Sequence, residues 1–120
     1  MNLENLKNLG QFTGGETYFT SPYGKMKFSE GVQFLAENAD CFWLIDAIAS
    51  YQPQLMKQET FRYMQFWELK VNRDKSCVLI CREDSGMEPA VRQEIEFTDF
   101  PFPEFQLWVE YGMLILPSEH

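Results

Sequence analysis

Histidine is almost missing from this chain: its 120 residues hold one, His120. Imidazole is the usual general base near neutral pH and a frequent metal ligand, so this scarcity excludes most histidine-based catalysis and nearly all His-containing metal sites. Cysteine is scarce too, and odd in number. Cys41, Cys77 and Cys81 form no CxxC pair, and on one strand Cys77 and Cys81 would stand roughly 13 Å apart at about 3.3 Å per residue, too far for a disulfide. Buried free thiols in a reducing cytosol are the expectation. No apolar run approaches the roughly 20 residues that span a bilayer. The start, Met-Asn-Leu-Glu-Asn-Leu-Lys, lacks the basic region and apolar stretch of a signal peptide, so a soluble, cytoplasmic protein with no membrane partner is expected. Gly14-Gly15 carries no GK[ST] and reads as loop, and no cofactor is implied.

Basic residues are lacking in one region only. Residues 1–82 hold nine Lys or Arg against nine Asp or Glu, whereas residues 83–120 hold Arg92 against nine acids, so the last third carries the whole net charge of −8. That region would repel a phosphate backbone, which argues against nucleic-acid binding and favours a basic protein partner or a solvated acidic surface.

Apolar residues make up 45% and aromatic residues 16% of the chain, with eleven Phe, enough for a continuous, ring-rich core without staples. The organising stretch is Cys41 to Ser50, Cys-Phe-Trp-Leu-Ile-Asp-Ala-Ile-Ala-Ser. Cys41, Leu44, Ile45 and Ile48 share one helical side, and Phe42, Trp43 and Ala47 make most of the rest apolar, so this helix needs cover on two sides. Asp40 is positioned to cap it and Pro53 to end it. Upstream, Leu3 to Leu9 reads as a short lid helix, residues 17–20 and 26–28 as a hairpin around Ser21-Pro22-Tyr23-Gly24, and Ser29 as the cap of a helix running to Asn38.

From Phe61 the period shifts from 3.6 to 2. Trp67, Leu69 and Val71 alternate with polar neighbours, Asn72 to Lys75 makes a hairpin loop, and Cys77 to Arg82, apolar on both faces, reads as a central strand. Val91, Ile95 and Phe97 form the next inward set, then Phe105, Leu107, Val109 and Tyr111 after the break at Pro101 and Pro103, then Met113 to Leu116. The expectation is one α+β domain over residues 1–120: an antiparallel sheet of about four to six strands with two or three N-terminal helices packed on one face.

Candidate sites are few. Glu94 and Glu96, two apart on the polar face of a strand, suit a carboxylate pair or simply a solvated face balanced by Arg92. Asp99 precedes the ring-and-proline run Phe100-Pro101-Phe102-Pro103 and could accept backbone amides to fix that turn. Trp108 projects opposite Leu107 and Val109, where it is either covered by the Leu3 to Leu9 helix or offered to a partner. Asp46 or Asp99, with Glu119, could serve as acid and base, and Asp46 is the better candidate because it lies within the central helix, where burial could raise its pKa.

The phrases Gly15-Glu16, Gly31 to Glu37, Trp43 to Ser50, Gln93 to Pro101, Leu107-Trp108 and Leu116 to Glu119 together resemble a small bacterial domain family of unknown function that also occurs in phage and plasmid sequences. Tyr18-Phe19-Thr20 and His120 depart from that pattern, which has His after the first-strand Tyr and a final Tyr. The resemblance implies an intact domain and transfers no activity. The first expectation is a non-catalytic binding or accessory module whose acidic, aromatic surface, formed by Glu94, Glu96, Asp99, Phe100, Phe102 and Trp108, takes a basic partner. The alternatives are a carboxylate-based enzyme, an acidic nucleic-acid mimic of a mobile element, and a homodimer burying Trp108.

Overall fold

The computed structural model describes residues 1–22, 26–84 and 86–120. Its α-helices are α1 (Leu3–Leu6), α2 (Glu30–Ala39), α3 (Phe42–Ser50), α4 (Gln52–Leu55) and α5 (Glu59–Tyr63). The strands are β1 (Tyr18–Thr20), β2 (Lys27–Ser29), β3 (Met64–Val71), β4 (Cys77–Arg82), β5 (Val91–Ile95), β6 (Glu104–Glu110) and β7 (Met113–Ile115). They form one open sheet in the order β1-β2-β7-β6-β3-β4-β5. The α+β class and the mostly antiparallel sheet agree with the sequence reading, but the strand and helix numbers exceed it. Two differences account for this. The short β1–β2 hairpin joins the main sheet through a parallel β2–β7 pair, a long-range contact that no local pattern encodes. The segment between Ser50 and Met64 winds into α4 and α5 before the period-2 pattern begins, so Phe61 is a buried helical residue and not the first of a strand.

Alternation decides the layering. Phe28, Leu114, Val109, Leu107, Trp67, Leu69, Leu79 and Cys81 point to one side of the sheet and share a single apolar cluster with Val32, Leu35 and Ala36 of α2 and Leu44, Ile45 and Ile48 of α3. Ile80 and Ile115 are buried as well but stand outside that cluster, because they point to the opposite side. Of the buried polar residues among those described, Gln65 is the most deeply enclosed. Gln65, fully buried, trades amide hydrogen bonds with Gln52 at 2.8 and 2.9 Å, donates to the Phe61 carbonyl at 3.2 Å, and accepts from the Trp67 indole N–H at 2.8 Å. These bonds offset the desolvation that an unpartnered amide would suffer there.

The α2 start is as the sequence implied: Ser29 Oγ accepts from Val32 N at 3.2 Å. Asp40 has another role. It terminates α2 in the left-handed region at φ 51° and pairs with the Met1 amine at 2.9 Å, and Cys41, which has no side-chain capping bond, precedes α3. The turn expected at Ser21-Pro22-Tyr23-Gly24 lies partly outside the described residues. Leu3 to Leu9 is a single-turn α1 followed by a 3-10 turn at Leu9–Gln11, and α1 packs on α2. Two residues expected to face inward do not. Strand β5 ends at Ile95, leaving Phe97 69% exposed, and Tyr111 sits at φ 49° in the β6–β7 turn, 74% exposed, its ring edge-on to Tyr63 at 5.9 Å. No helix among the described residues is long and apolar enough to cross a membrane.

The carboxylate of Glu119 ties the last turn to the first long helix. Its Oε1 accepts from Ser29 Oγ at 2.5 Å and Leu116 N at 2.9 Å, and its Oε2 from Gly31 N at 3.3 Å, which places a negative charge at the α2 N-terminus. Gly31 is small for this reason: an added Cβ would lie 2.6 Å from Glu119 Oε1 and 2.7 Å from Leu116 Cδ1. Gly31→Ala should therefore lower stability by about 1–3 kcal/mol through displacement of the clamp, less the helix propensity it gains. In a Glu119→Ala background the same change should cost clearly less; urea unfolding of the four variants checks the non-additivity.

All three cysteines are free and buried. Burial pushes the Cys81 thiol up to about 12, and burial together with the neighbouring Asp40 charge pushes Cys41 to the same value, from 9.0. Unfolded thiols ionise near pH 9 while these hold their protons, so their contribution to stability is intact below pH 9 and is lost progressively between pH 9 and about 12. Thiol labelling at pH 8 should accordingly proceed only as fast as the chain opens, whereas rapid labelling of Cys41 or Cys81 in the native protein would contradict their burial.

Candidate functional site

The side of the sheet opposite the helices is built largely from the alternate residues of four strands. Met64, Phe66, Glu68 and Lys70 of β3 face Glu110, Trp108, Gln106 and Glu104 of β6 in direct register, with Val78, Ile80 and Arg82 of β4 on the other flank, then Arg92 and Glu94 of β5. Phe66 and Trp108 are a cross-strand pair, rings edge-to-face at 5.4 Å. Trp108 is half-buried, and its cover differs from expectation: the ring is met by Phe66 and by the His120 imidazole at 5.2 Å, while the N-terminal helix packs on α2 instead. His120 Nδ1 lies 2.7 Å from Glu110 Oε2, which holds the imidazole against the indole in a T-shaped contact.

Around this aromatic pair the charges alternate. Glu68 meets Lys70 at 3.4 Å and Arg82 at 3.5 Å, and Arg92 meets Glu94 at 3.6 Å. Arg82 Nε also donates to the Met87 carbonyl at 3.1 Å. Pairs this exposed are worth about 0–1 kcal/mol each and leave their groups available to a partner. Ile80, only 3% exposed, lines one depression with Lys70, Arg82 and Arg92, whose aliphatic stems are suited to shield it. Three depressions mark the surface. One of about 230 Å³ is lined by Phe66, Glu68, Arg82, Asp84, Gln106 and Trp108. A second of about 410 Å³ lies between Glu68, Glu104 and Gln106 on the sheet and Leu9, Gly10 and Pro117. The third, about 800 Å³, runs past Lys70, Arg82, Arg92, Glu94 and Glu96.

Of the six residues singled out from the sequence as one surface, the structure brings Glu94 and Glu96 to the same depression and Trp108 to the same side of the sheet. Phe100 is elsewhere. At 2% exposure it belongs to the core, edge-on to Phe102 at 5.8 Å and Phe105 at 5.6 Å, and it offers no surface. Phe102 is half-buried, stacked on Phe105 at 5.6 Å. Asp99 is exposed, and the turn is fixed by its neighbour: buried Thr98 accepts from Phe100 N at 3.1 Å through Oγ1, and its own N–H donates to the Lys75 carbonyl at 2.8 Å. Phe66, Glu68, Lys70 and Arg82 are the residues that sequence reasoning missed. Their outward alternation was visible, but the pairing of β3 with β6 that sets Phe66 beside Trp108 was not.

The carboxylates considered for acid–base chemistry are apart. Asp46 is half-buried in a depression with no second ionisable group in its lining among the described residues. Glu119 is occupied as the α2 cap, and Asp99 stands in the β5–β6 loop. Among the described residues no three His, Cys, Asp or Glu are grouped to hold a metal ion.

His120→Ala should uncover the indole. The expected result is a red shift of tryptophan emission with stronger acrylamide quenching, both abolished in a Trp108→Phe background; unchanged quenching would show that the imidazole does not cover the ring.

No curated protein and no solved structure matches this chain. A family model described as a family of unknown function, DUF6876, matches residues 3–120, and the chain belongs to that family.

Proposed function

We propose that this protein is a soluble, cytoplasmic, non-catalytic binding module of one domain, which takes a basic protein partner on the uncovered side of its sheet. The observation that carries this reading is the Phe66–Trp108 pair, half-buried at the middle of the sheet face opposite the one that shares its apolar cluster with α2 and α3. Trp is favoured at the desolvated centre of interfaces, and the rigid β3–β6 pairing presents it at low entropic cost. Carboxylates outnumber cations on and around this face: Glu68, Glu94, Glu96, Glu104 and Glu110 stand against Lys70, Arg82 and Arg92. Such a surround steers a basic partner, while the interspersed cations fix its register. The same excess disfavours direct contact with a nucleic-acid backbone.

Affinity capture of binding proteins from host lysate tests the reading, with Trp108→Ala and the double change Glu94→Lys/Glu96→Lys beside the wild type and all three checked for folding. Removing the central ring should cost roughly tenfold or more in affinity for the captured partner. The charge reversal should slow association in a salt-dependent manner. A partner held equally well by Trp108→Ala would remove this face from the binding site. Sedimentation of the wild type separates a second copy from a foreign partner: a dimer dissociated by Trp108→Ala would replace the basic partner with self-association.

A further inference from the structure

On the helix side of the molecule, away from the aromatic face, helical spacing sets Phe42, Ile45 and Asp46 side by side on α3. The edge hairpin stands next to them, with Phe19 of β1 and Phe28 of β2 stacked at 5.8 Å and 25°. Between hairpin and helix lies a depression of about 280 Å³ lined by Phe19, Phe28, Gln33, Phe42, Ile45 and Asp46. Phe28 and Ile45, which line it, are buried, while Phe19 and Phe42 remain 38% and 44% exposed, so folding leaves two partly exposed rings in a depression that also holds one carboxylate.

That carboxylate is under-served. Its hydrogen bond from Ser21 Oγ is 3.4 Å long, well beyond the roughly 2.5–2.7 Å usual for a hydroxyl on a carboxylate. No Lys or Arg among the described residues is ion-paired with it. A neutral apolar ligand would dehydrate Asp46 without compensating it, and an anion would be repelled. A hard metal ion would find a single carboxylate where it needs six or so oxygen ligands. A cation carried on an apolar body answers both features at once, since the charge meets Asp46 and the ring faces attract the ammonium while burying its alkyl groups. The volume lies just below the range of about 300–1,000 Å³ typical of drug-sized ligands, which limits the occupant to a small one. We propose that this depression is a binding site for a small organic cation of the alkylammonium class.

Choline chloride titrated into the full chain tests this, followed by NMR at constant ionic strength beside its neutral isostere, the dimethylbutanol in which carbon replaces the ammonium nitrogen. Saturable shifts confined to Phe19, Phe42 and the α3 segment around Asp46 are expected with choline and not with the alcohol. Asp46→Asn should weaken binding by roughly tenfold, the loss of one charge-to-cation contact. Phe42→Ala, which trims a partly exposed ring and leaves the core intact, should weaken it as well. Absence of saturation, equal binding of the alcohol, or full affinity in folded Asp46→Asn would overturn the proposal. So would saturable binding of a lysine-bearing peptide where choline fails, which would make the occupant a protein side chain.

Discussion

Strand β3 is the constraint on which the rest of this molecule depends. It lies between β4 and β6 in an antiparallel ladder on both sides, and its eight residues alternate strictly between two environments. Gln65, Trp67 and Leu69 are buried against the helices; Phe66, Glu68 and Lys70 look the other way. A slip of one residue would drive Glu68 and Lys70 into the core and expel Trp67, so the register cannot drift. The same alternation, carried across the ladder, puts Trp108 opposite Phe66 and Leu107 opposite Trp67. Core and outer face are two consequences of one periodicity.

A second constraint closes the fold over distance. The β2–β7 pair and the Glu119 clamp bring the end of the chain against residues 27–31, so the N-terminal hairpin and α2 are held by contacts with partners some 90 positions away. An apolar α2 face alone would dock the helix on the sheet in more than one way. Three hydrogen bonds to a single carboxylate, at a place where a Cβ would press on that carboxylate, select one. Such bonds are individually modest, about 1–3 kcal/mol where charge is involved, and their value here lies in geometry as much as in energy.

The chain thus separates its hydrophobic work from its surface chemistry. Helices cover one side of the sheet, and the other keeps an aromatic pair at its middle among paired charges. Sheet faces of this kind are a cost in water unless something meets them, and long charged side chains can reduce that cost through their apolar stems. The Asp46 depression is a separate feature of the opposite side.

Much of this was legible from residue order. The α2 cap at Ser29, the apolar face of α3, the Asn72 to Lys75 hairpin, the outward Trp108 and the free buried thiols follow from local rules: capping chemistry, period and turn preference act within a few residues, and the sequence states them directly. Tertiary structure alone decided what meets what. That Phe100 is core although it sits in a proline-rich turn, that Phe97 and Tyr111 are surface although they continue inward patterns, and that Glu119 is a helix cap all depend on contacts made far along the chain. Periodicity determines which side a residue faces while the strand continues; where the strand stops, and which distant segment covers it, is set by packing, and packing is a property of the whole chain.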